Sequence, residues 1–220
     1  MCGRYLLFAT SKEIAEFLGV KDVPEIEPRY NIAPTQTAPV VVQDDNQRQL
    51  RMMKWGFIPS WSKDPNIGYK TINARSETVA AKQTFRAAIK KRHCLVPASG
   101  FYEWRAVGKR KLPTLFRPAS GLFAFAGLWE TWAGSGSPLD TFTILTTTAN
   151  ESVEPTHDRM PVIIDRADYG TWLDATKSAD GQLLRPYPVE AMTATAVATW
   201  VNDARHEGEQ CIEPINEKAE

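Results

Sequence analysis

Cys2 stands in the start Met1-Cys2-Gly3-Arg4-Tyr5. Once the initiator methionine is trimmed, one residue carries both a free α-amine and a thiol, a few bonds apart. An aldehyde can form an imine with the amine, and the thiol can then close a thiazolidine ring on the same carbon. No internal cysteine can do this. A free α-amine titrates at about 7.7–8.0, so a useful minority is neutral at pH 7, whereas a lysine near ~10.4 is almost wholly protonated there. The thiol starts near ~8.5 and can be lowered by a neighbouring Arg4 or a protonated histidine.

Other segments also look unlike ordinary core or loop. Tyr30-Asn31-Ile32-Ala33-Pro34 is a turn-like polar stretch. Trp55-Gly56-Phe57-Ile58-Pro59-Ser60-Trp61 puts two tryptophans around a rigid Gly/Pro loop. Ile72-Asn73-Ala74-Arg75-Ser76-Glu77-Thr78 holds an amide and a guanidinium. Cys94 to Trp104 sets one carboxylate, Glu103, among Phe101, Tyr102 and Trp104. Pro155-Thr156-His157-Asp158-Arg159-Met160-Pro161 places a histidine beside an arginine. Taken singly, each has a bland reading: Glu103 as a surface acid on a strand, His157 as a loop histidine held by a carbonyl, Asn73 as a turn residue, Trp55 and Trp61 as core.

The elements that must position these residues can be read from pattern. Residues 10–19 form a helix, with Thr10 and Glu13 as a capping box, Ile14, Phe17 and Leu18 as its apolar face, and Gly19 as its end. Ala38–Val42 and Leu50–Trp55 are strands joined by the turn Asp44-Asp45-Asn46. Ser76–Lys91 reads as a helix burying Phe85, Ala88 and Ile89. Leu95–Ala98, Phe101–Arg105, Thr114–Arg117, Leu122–Trp129, Phe142–Thr147 and Val162–Asp165 are β-prone runs. Asp165 caps a short helix carrying Tyr169, Trp172 and Leu173, and Ala194–Val201 is the last strand. From about Asp203 the tail is polar and reads as loosely held. Strands with a few helices, and no βαβ alternation, predict an α+β fold: one domain, residues 1–214, with a curved, mostly antiparallel, barrel-like sheet core, and a polar tail at 215–220.

Composition narrows the function classes. The chain has 220 residues, 43% hydrophobic and 24% charged, which suits a soluble globular protein with a real core. No apolar run approaches the roughly 18 residues of a membrane span, and the start lacks a signal-peptide pattern, so a cytoplasmic location and no membrane partner are expected. Cys2, Cys94 and Cys211 are odd in number and widely spaced, a poor disulfide framework, and Cys94 and Cys211 read as small buried residues. No ligand spacing points to a metal, and no cofactor is implied. With 26 basic and 26 acidic residues the net charge is zero, which argues against non-specific coating of nucleic acid. Two local basic patches remain, Lys82 to Arg92 and Lys109-Arg110-Lys111, readable as solvated faces or as parts of a phosphate track.

These separated motifs, in this order, make the chain resemble the SOS response-associated peptidase (SRAP) family from Cys2 to about Pro214. The resemblance implies covalent capture of abasic sites in single-stranded DNA by a monomeric protein, and a peptidase activity that removes residues preceding the cysteine. It implies Cys2 as nucleophile, Asn73 holding the Cys2 amine or a sugar hydroxyl, Glu103 as a general acid/base with its pKa raised by desolvation, and His157 assisting ring opening and proton transfer. Arg4, Arg75 and Arg159, in or beside these motifs, become phosphate candidates, and Pro34, Trp61 and Trp104 become stacking or wedge surfaces. His206 stands where the family commonly carries an asparagine. Two other classes stay open: a cysteine peptidase acting on proteins through Cys2 and His157, and a non-catalytic single-strand-binding module.

Overall fold

Short β-branched and aromatic runs broken by glycine, proline and polar turns build two sheets. The computed structural model describes residues 2–215, apart from 22, 46, 120, 135, 175, 176 and 178–180. In chain order the strands are β1 (Tyr5–Leu7), β2 (Arg29–Ile32), β3 (Thr37–Asp44), β4 (Gln47–Trp55), β5 (Asn73–Arg75), β6 (His93–Ala98), β7 (Gly100–Val107), β8 (Arg110–Pro118), β9 (Phe123–Trp132), β10 (Leu139–Thr148), β11 (Arg159–Pro161) and β12 (Met192–Ala196). The helices are α1 (Ser11–Leu18) and α2 (Tyr169–Leu173). Strands β10, β4, β3, β6 and β9 pair in sequence, and a β9–β10 pairing closes them into a barrel that leaves no open edge. Only the short β4–β10 contact in that ring is parallel. β5 and β11 add to β10 outside the ring. The second sheet runs β12-β8-β7-β1-β2. The architecture is α+β with a curved, mostly antiparallel barrel core, as the sequence predicts.

Every residue of β6 is buried. One reason lies at Gly127 on the neighbouring β9, where a Cβ would meet the Cys94 Sγ at 2.7 Å and the Thr143 carbonyl oxygen at 3.0 Å. Cys94 is thus a packing residue in a contact too close for a larger side chain. His93 stacks on Trp172 of α2 with ring centroids 4.1 Å apart, and the Trp172 indole N–H donates to the Cys94 carbonyl at 2.9 Å. Cys211 is likewise buried. Helix α1 begins and ends as its sequence says: the Thr10–Glu13 capping box is formed and Gly19 takes φ 67°. Such a cap is worth about 1 kcal/mol. The β3–β4 hairpin is present, though Asn46 in its turn lies outside the described residues.

Four expectations need correction. Residues 76–91 are not an α-helix but successive turns ending in a 3-10 turn at Ala88–Lys90. Their backbone bonds mix i−3 and i−4 partners, as in Phe85 N–H to the Lys82 carbonyl and Arg86 N–H to the same oxygen. Val79, Phe85 and Ala88 are buried, with the Phe85 ring 5.3 Å from that of Phe57, so tertiary packing rather than helical hydrogen bonding holds this segment. The strand expected at Val162–Asp165 lies earlier, at β11, and Ile163 keeps only an isolated bridge to Phe125. Asp165 makes no side-chain cap, and a 3-10 turn, Arg166–Asp168, precedes α2. The last strand stops at Ala196, and the segment after it is not loose. Val197 pairs with Pro214, the Ala198 N–H donates to the Glu213 carbonyl at 2.9 Å, and the residues between form a packed loop. The Lys109-Arg110-Lys111 patch does lie on the tip of the β7–β8 hairpin.

Candidate functional site

The site is assembled at the start of the chain by three separate strand pairings. β1 pairs with β7 in the register Tyr5↔Phe101, and the Tyr102 N–H donates to the Arg4 carbonyl at 3.0 Å. Antiparallel continuation brings Glu103 alongside the residues just before Arg4. β5 lies parallel to β10, which places Asn73 opposite Ile144, and the Asn73 Nδ2 donates to the Cys2 carbonyl at 2.7 Å. β11 pairs with the end of the same strand, Thr148↔Arg159, and so hangs His157 from it. Residues 2, 73, 103 and 157 come from four corners of the sequence, and β10 and β7 set their places.

Trp55 reads correctly as core. It stacks with Phe142 and its indole N–H donates to the Ile72 carbonyl at 2.8 Å, which fixes the residue before Asn73. Gly56, at φ 131°, lets the following loop pass so close that a Cβ there would meet the Gly68 carbonyl oxygen at 2.8 Å. Trp61, further along that loop, is 56% exposed. Its reading as core is therefore wrong.

Burial sets the electrostatics. The Glu103 carboxyl is pushed up to about 7 by desolvation, with the charge of the chain's amino terminus pulling down and Asp158 pushing up. Burial lowers the His157 imidazole, and the amino-terminal charge adds to that. Both groups thus feel the charge at the chain start. The Cys2 thiol is raised well above an ordinary thiol, first by burial and then by the charge of Glu103. This corrects the expectation that Arg4 or His157 lowers it. The thiol stays protonated, its sulfur 3.9 Å from the Arg4 carbonyl.

The His157 tautomer follows from its contacts. Nδ1 lies 3.0 Å from the Arg159 backbone N–H, which can only donate, so Nδ1 accepts and Nε2 carries the proton. Asp158 Oδ1 lies 2.9 Å from the same Nδ1, so protonation of the ring would exchange the N–H acceptor role for an ion pair with Asp158. The Asn73 Oδ1 is buried and has no partner among the described residues, leaving an acceptor beside the Cys2 carbonyl.

The candidate DNA-contact residues divide. Arg75 is exposed on β5, two residues beyond Asn73, and Trp61 is exposed on its loop. Pro34 is half-buried, just before Thr35 at φ 74°. Arg4 is committed within the protein: its Nη1 donates to Asn31 Oδ1 at 2.7 Å and to the Val201 carbonyl at 2.9 Å, and its guanidinium lies 5.4 Å over the Trp104 ring. Arg159 is buried, bidentate to Glu77 at 2.7 and 2.9 Å and bonded to the Thr146 carbonyl at 2.6 Å. Its geometry ties β11 to β10 rather than presenting a cation. Arg159→Ala is therefore expected to cost about 2–4 kcal/mol of stability, below the fully buried case because Glu77 is half-exposed. Urea denaturation checks this.

Sequence reading missed two groups. Tyr5 is fully buried, its hydroxyl has no partner among the described residues, and burial raises its pKa. An apolar strand pattern hides such a hydroxyl. Asn31 sits in a polar stretch that hides its role, though a fully buried amide needs partners for both its ends. Among the described residues no group of three or more acidic, histidine or cysteine side chains could hold a metal.

The profile of the SOS response associated peptidase (SRAP) family matches residues 1–204. The abasic site processing protein YoqW of Bacillus subtilis (strain 168) is 41% identical over 223 residues, covering 97% of this chain and 99% of its own. The abasic site processing protein HMCES of Xenopus tropicalis is 31% identical over 228 residues, covering 88% of this chain and 68% of its own. A crystal structure of a protein from Bacteroides thetaiotaomicron superposes with a TM-score of 0.88 at 24% identity, over 98% of this chain and the whole of that one, and shares its fold. The profile match across the motifs that meet at Cys2, together with this level of identity over nearly the full length, shows that the chain belongs to the SRAP family.

Proposed function

We propose that this protein captures abasic sites in single-stranded DNA as a covalent thiazolidine at Cys2, after loss of Met1. The observation that carries the reading is the convergence of Asn73, Glu103 and His157 on the first residues of the chain. The names of the relatives, abasic site processing proteins, supply the substrate class. An abasic deoxyribose is mostly a ring hemiacetal. A general acid opens it to the aldehyde, the Cys2 amine adds to C1′, and water leaves to give the imine. The thiol then adds to the imine carbon, its proton passing to the ring nitrogen by way of an acid/base group. The balance is aldehyde plus aminothiol giving thiazolidine plus water. Glu103, titrating near 7, can serve in both directions at neutral pH. His157, neutral with Nε2–H, is a donor for the sugar oxygen. The same groups in reverse would open the adduct to the imine, where removal of a C2′ proton with departure of the 3′ phosphate would cleave the strand as a lyase. Removal of Met1 by the protein itself would draw on Cys2 and Glu103.

A cysteine peptidase acting on other proteins is the weaker reading. That chemistry needs a thiolate, and here burial holds the thiol protonated. The deciding experiment incubates mature protein with an oligonucleotide bearing one abasic site and looks for a heat-stable, gel-shifted adduct, with intact mass reporting loss of Met1. No adduct together with cleavage of a peptide substrate would favour the peptidase. Trp61→Ala is expected to lower single-strand affinity by about 1–3 kcal/mol, the worth of one base stacked on an aromatic ring, with unchanged melting. Fluorescence anisotropy and a thermal melt separate the two effects.

A further inference from the structure

β1 begins at Tyr5, and just before it the chain keeps the backbone bond from the Tyr102 N–H to the Arg4 carbonyl. Two side-chain anchors add to it. One is the Asn73 bond to the Cys2 carbonyl. The other is the Arg4 guanidinium, which donates to the Val201 and Asn202 carbonyls in the loop between Val197 and Pro214 and to Asn31, itself bonded to that loop.

Asn31 organises this junction. It is fully buried on β2. Its Oδ1 accepts from Arg4, and its Nδ2 donates to the Asp203 and His206 carbonyls, both at 2.9 Å, with the Val201 carbonyl further off at 3.4 Å. Two N–H hydrogens meet two good acceptors, so the amide is fully used. Arg4 shares the Val201 carbonyl. The loop also reaches the strand of Glu103: the Trp104 indole N–H donates to Asn202 Oδ1 at 2.6 Å, directly beneath Arg4. Its other edge is held by Glu207, which accepts from Arg29 Nε and the Tyr30 N–H. A small apolar cluster of Leu6, Tyr102 and Leu115 with Val197, Val201 and Cys211 seats it on the sheet.

We infer that Asn31 is a positioning residue for the reaction at Cys2, and that the 197–214 loop is a strap that aligns the nucleophile arm, through Arg4, with the Glu103 strand, through Trp104. The inference rests on the proposed capture of abasic sites. Asn31 touches no reacting atom. It acts by fixing Arg4 two residues from Cys2, and a displacement of about 1 Å at a reacting centre can cost on the order of 10²-fold in rate.

The test measures three quantities on purified Asn31→Ala: the crosslinking rate at saturating abasic single strand, its pH profile, and the dissociation constant for the same oligonucleotide without the lesion. The saturating rate is expected to fall about 10- to 100-fold, the pH profile to keep its wild-type shape, and the dissociation constant to stay within about threefold of wild type. Asn202→Ala removes the exposed links to Trp104 and to the Lys111 carbonyl and does not touch the core. It is expected to lower the same rate several-fold, and it decides the matter should Asn31→Ala fail to fold. A folded Asn31→Ala with the wild-type rate overturns the inference. So does a rate loss matched by an equal loss of affinity, and so does a wild-type rate in Asn202→Ala when Asn31→Ala does not fold. Absence of an adduct with the wild-type protein instead refutes the proposed function itself.

Discussion

Cys2→Ser is expected to abolish the heat-stable adduct with abasic single-stranded DNA, leaving at most a labile imine that heating removes. The α-amine survives the substitution, so imine formation remains possible. What is lost is the ring closure. A thiol held two bonds from the amine-bearing carbon attacks intramolecularly, and well-oriented pairs of this kind act at effective concentrations on the order of 10⁵ M or more. That closure is what pulls the imine equilibrium to a stable product. The high pKa of the buried thiol does not oppose this, because addition to an iminium can release the proton in the same step. A protein carrying an uncleaved N-terminal extension is expected to fail equally, since it keeps the thiol and loses the free amine. Denaturing gels after heat treatment, with borohydride trapping to reveal the labile imine, check both. A heat-stable adduct in Cys2→Ser at the wild-type level would move the chemistry to another residue.

The second large effect is expected at Glu103. Glu103→Gln keeps the shape and removes the titrating group, and loss of a general acid/base typically costs about 10²–10⁴-fold in rate. Because the carboxyl titrates near 7, the wild-type rate should change through neutral pH and the variant should lose that limb. The same shift predicts stability with opposite sign. In the unfolded chain the carboxyl titrates near ~4.3. In the folded protein it does so near 7, because burial disfavours the charge. Between these values the folded state holds a proton that the unfolded state has lost, so this stabilisation is complete below the unfolded value and is lost as pH rises through 7. The gap corresponds to roughly 4 kcal/mol. Glu103→Gln cannot ionise, so it should match wild type near pH 4 and exceed it by about 3–4 kcal/mol at pH 8. Urea denaturation at the two pH values reads this directly, and a difference independent of pH would mean that Glu103 is not a desolvated acid. An inactive variant more stable than its parent is the signature of a functional group held at a cost to folding.

Local rules carried much of the fold. The Thr10–Glu13 box and Gly19 bound α1 because capping chemistry acts within one turn. The β3–β4 and β7–β8 hairpins followed from β-prone runs flanking polar turns. Residues 76–91 failed the same treatment. Their apolar spacing suits a helix, yet packing of Val79 and Phe85 breaks the backbone into turns. The tail after Asp203 failed in the other direction. Its polar composition hid the fact that its Asp203 and His206 carbonyls are the partners of Asn31, which lies 172 and 175 residues away in the chain.

The sequence by itself determined the chemical types at the site: an aminothiol at Cys2, an amide at Asn73, a carboxyl among aromatics at Glu103, an imidazole at His157. It also determined the strand-rich class, because period and turn chemistry are local. Only the tertiary structure decided which of these groups meet, and in what state. Barrel closure through β9 and β10, and the pairing of β5 and β11 on β10, bring residue 73 to residue 2. Burial, a property of the whole packing, sets Glu103 near 7, holds the thiol protonated and commits Arg4 and Arg159 to the scaffold. Desolvation and long-range hydrogen bonds depend on neighbours distant in the chain, and local sequence pattern does not encode them.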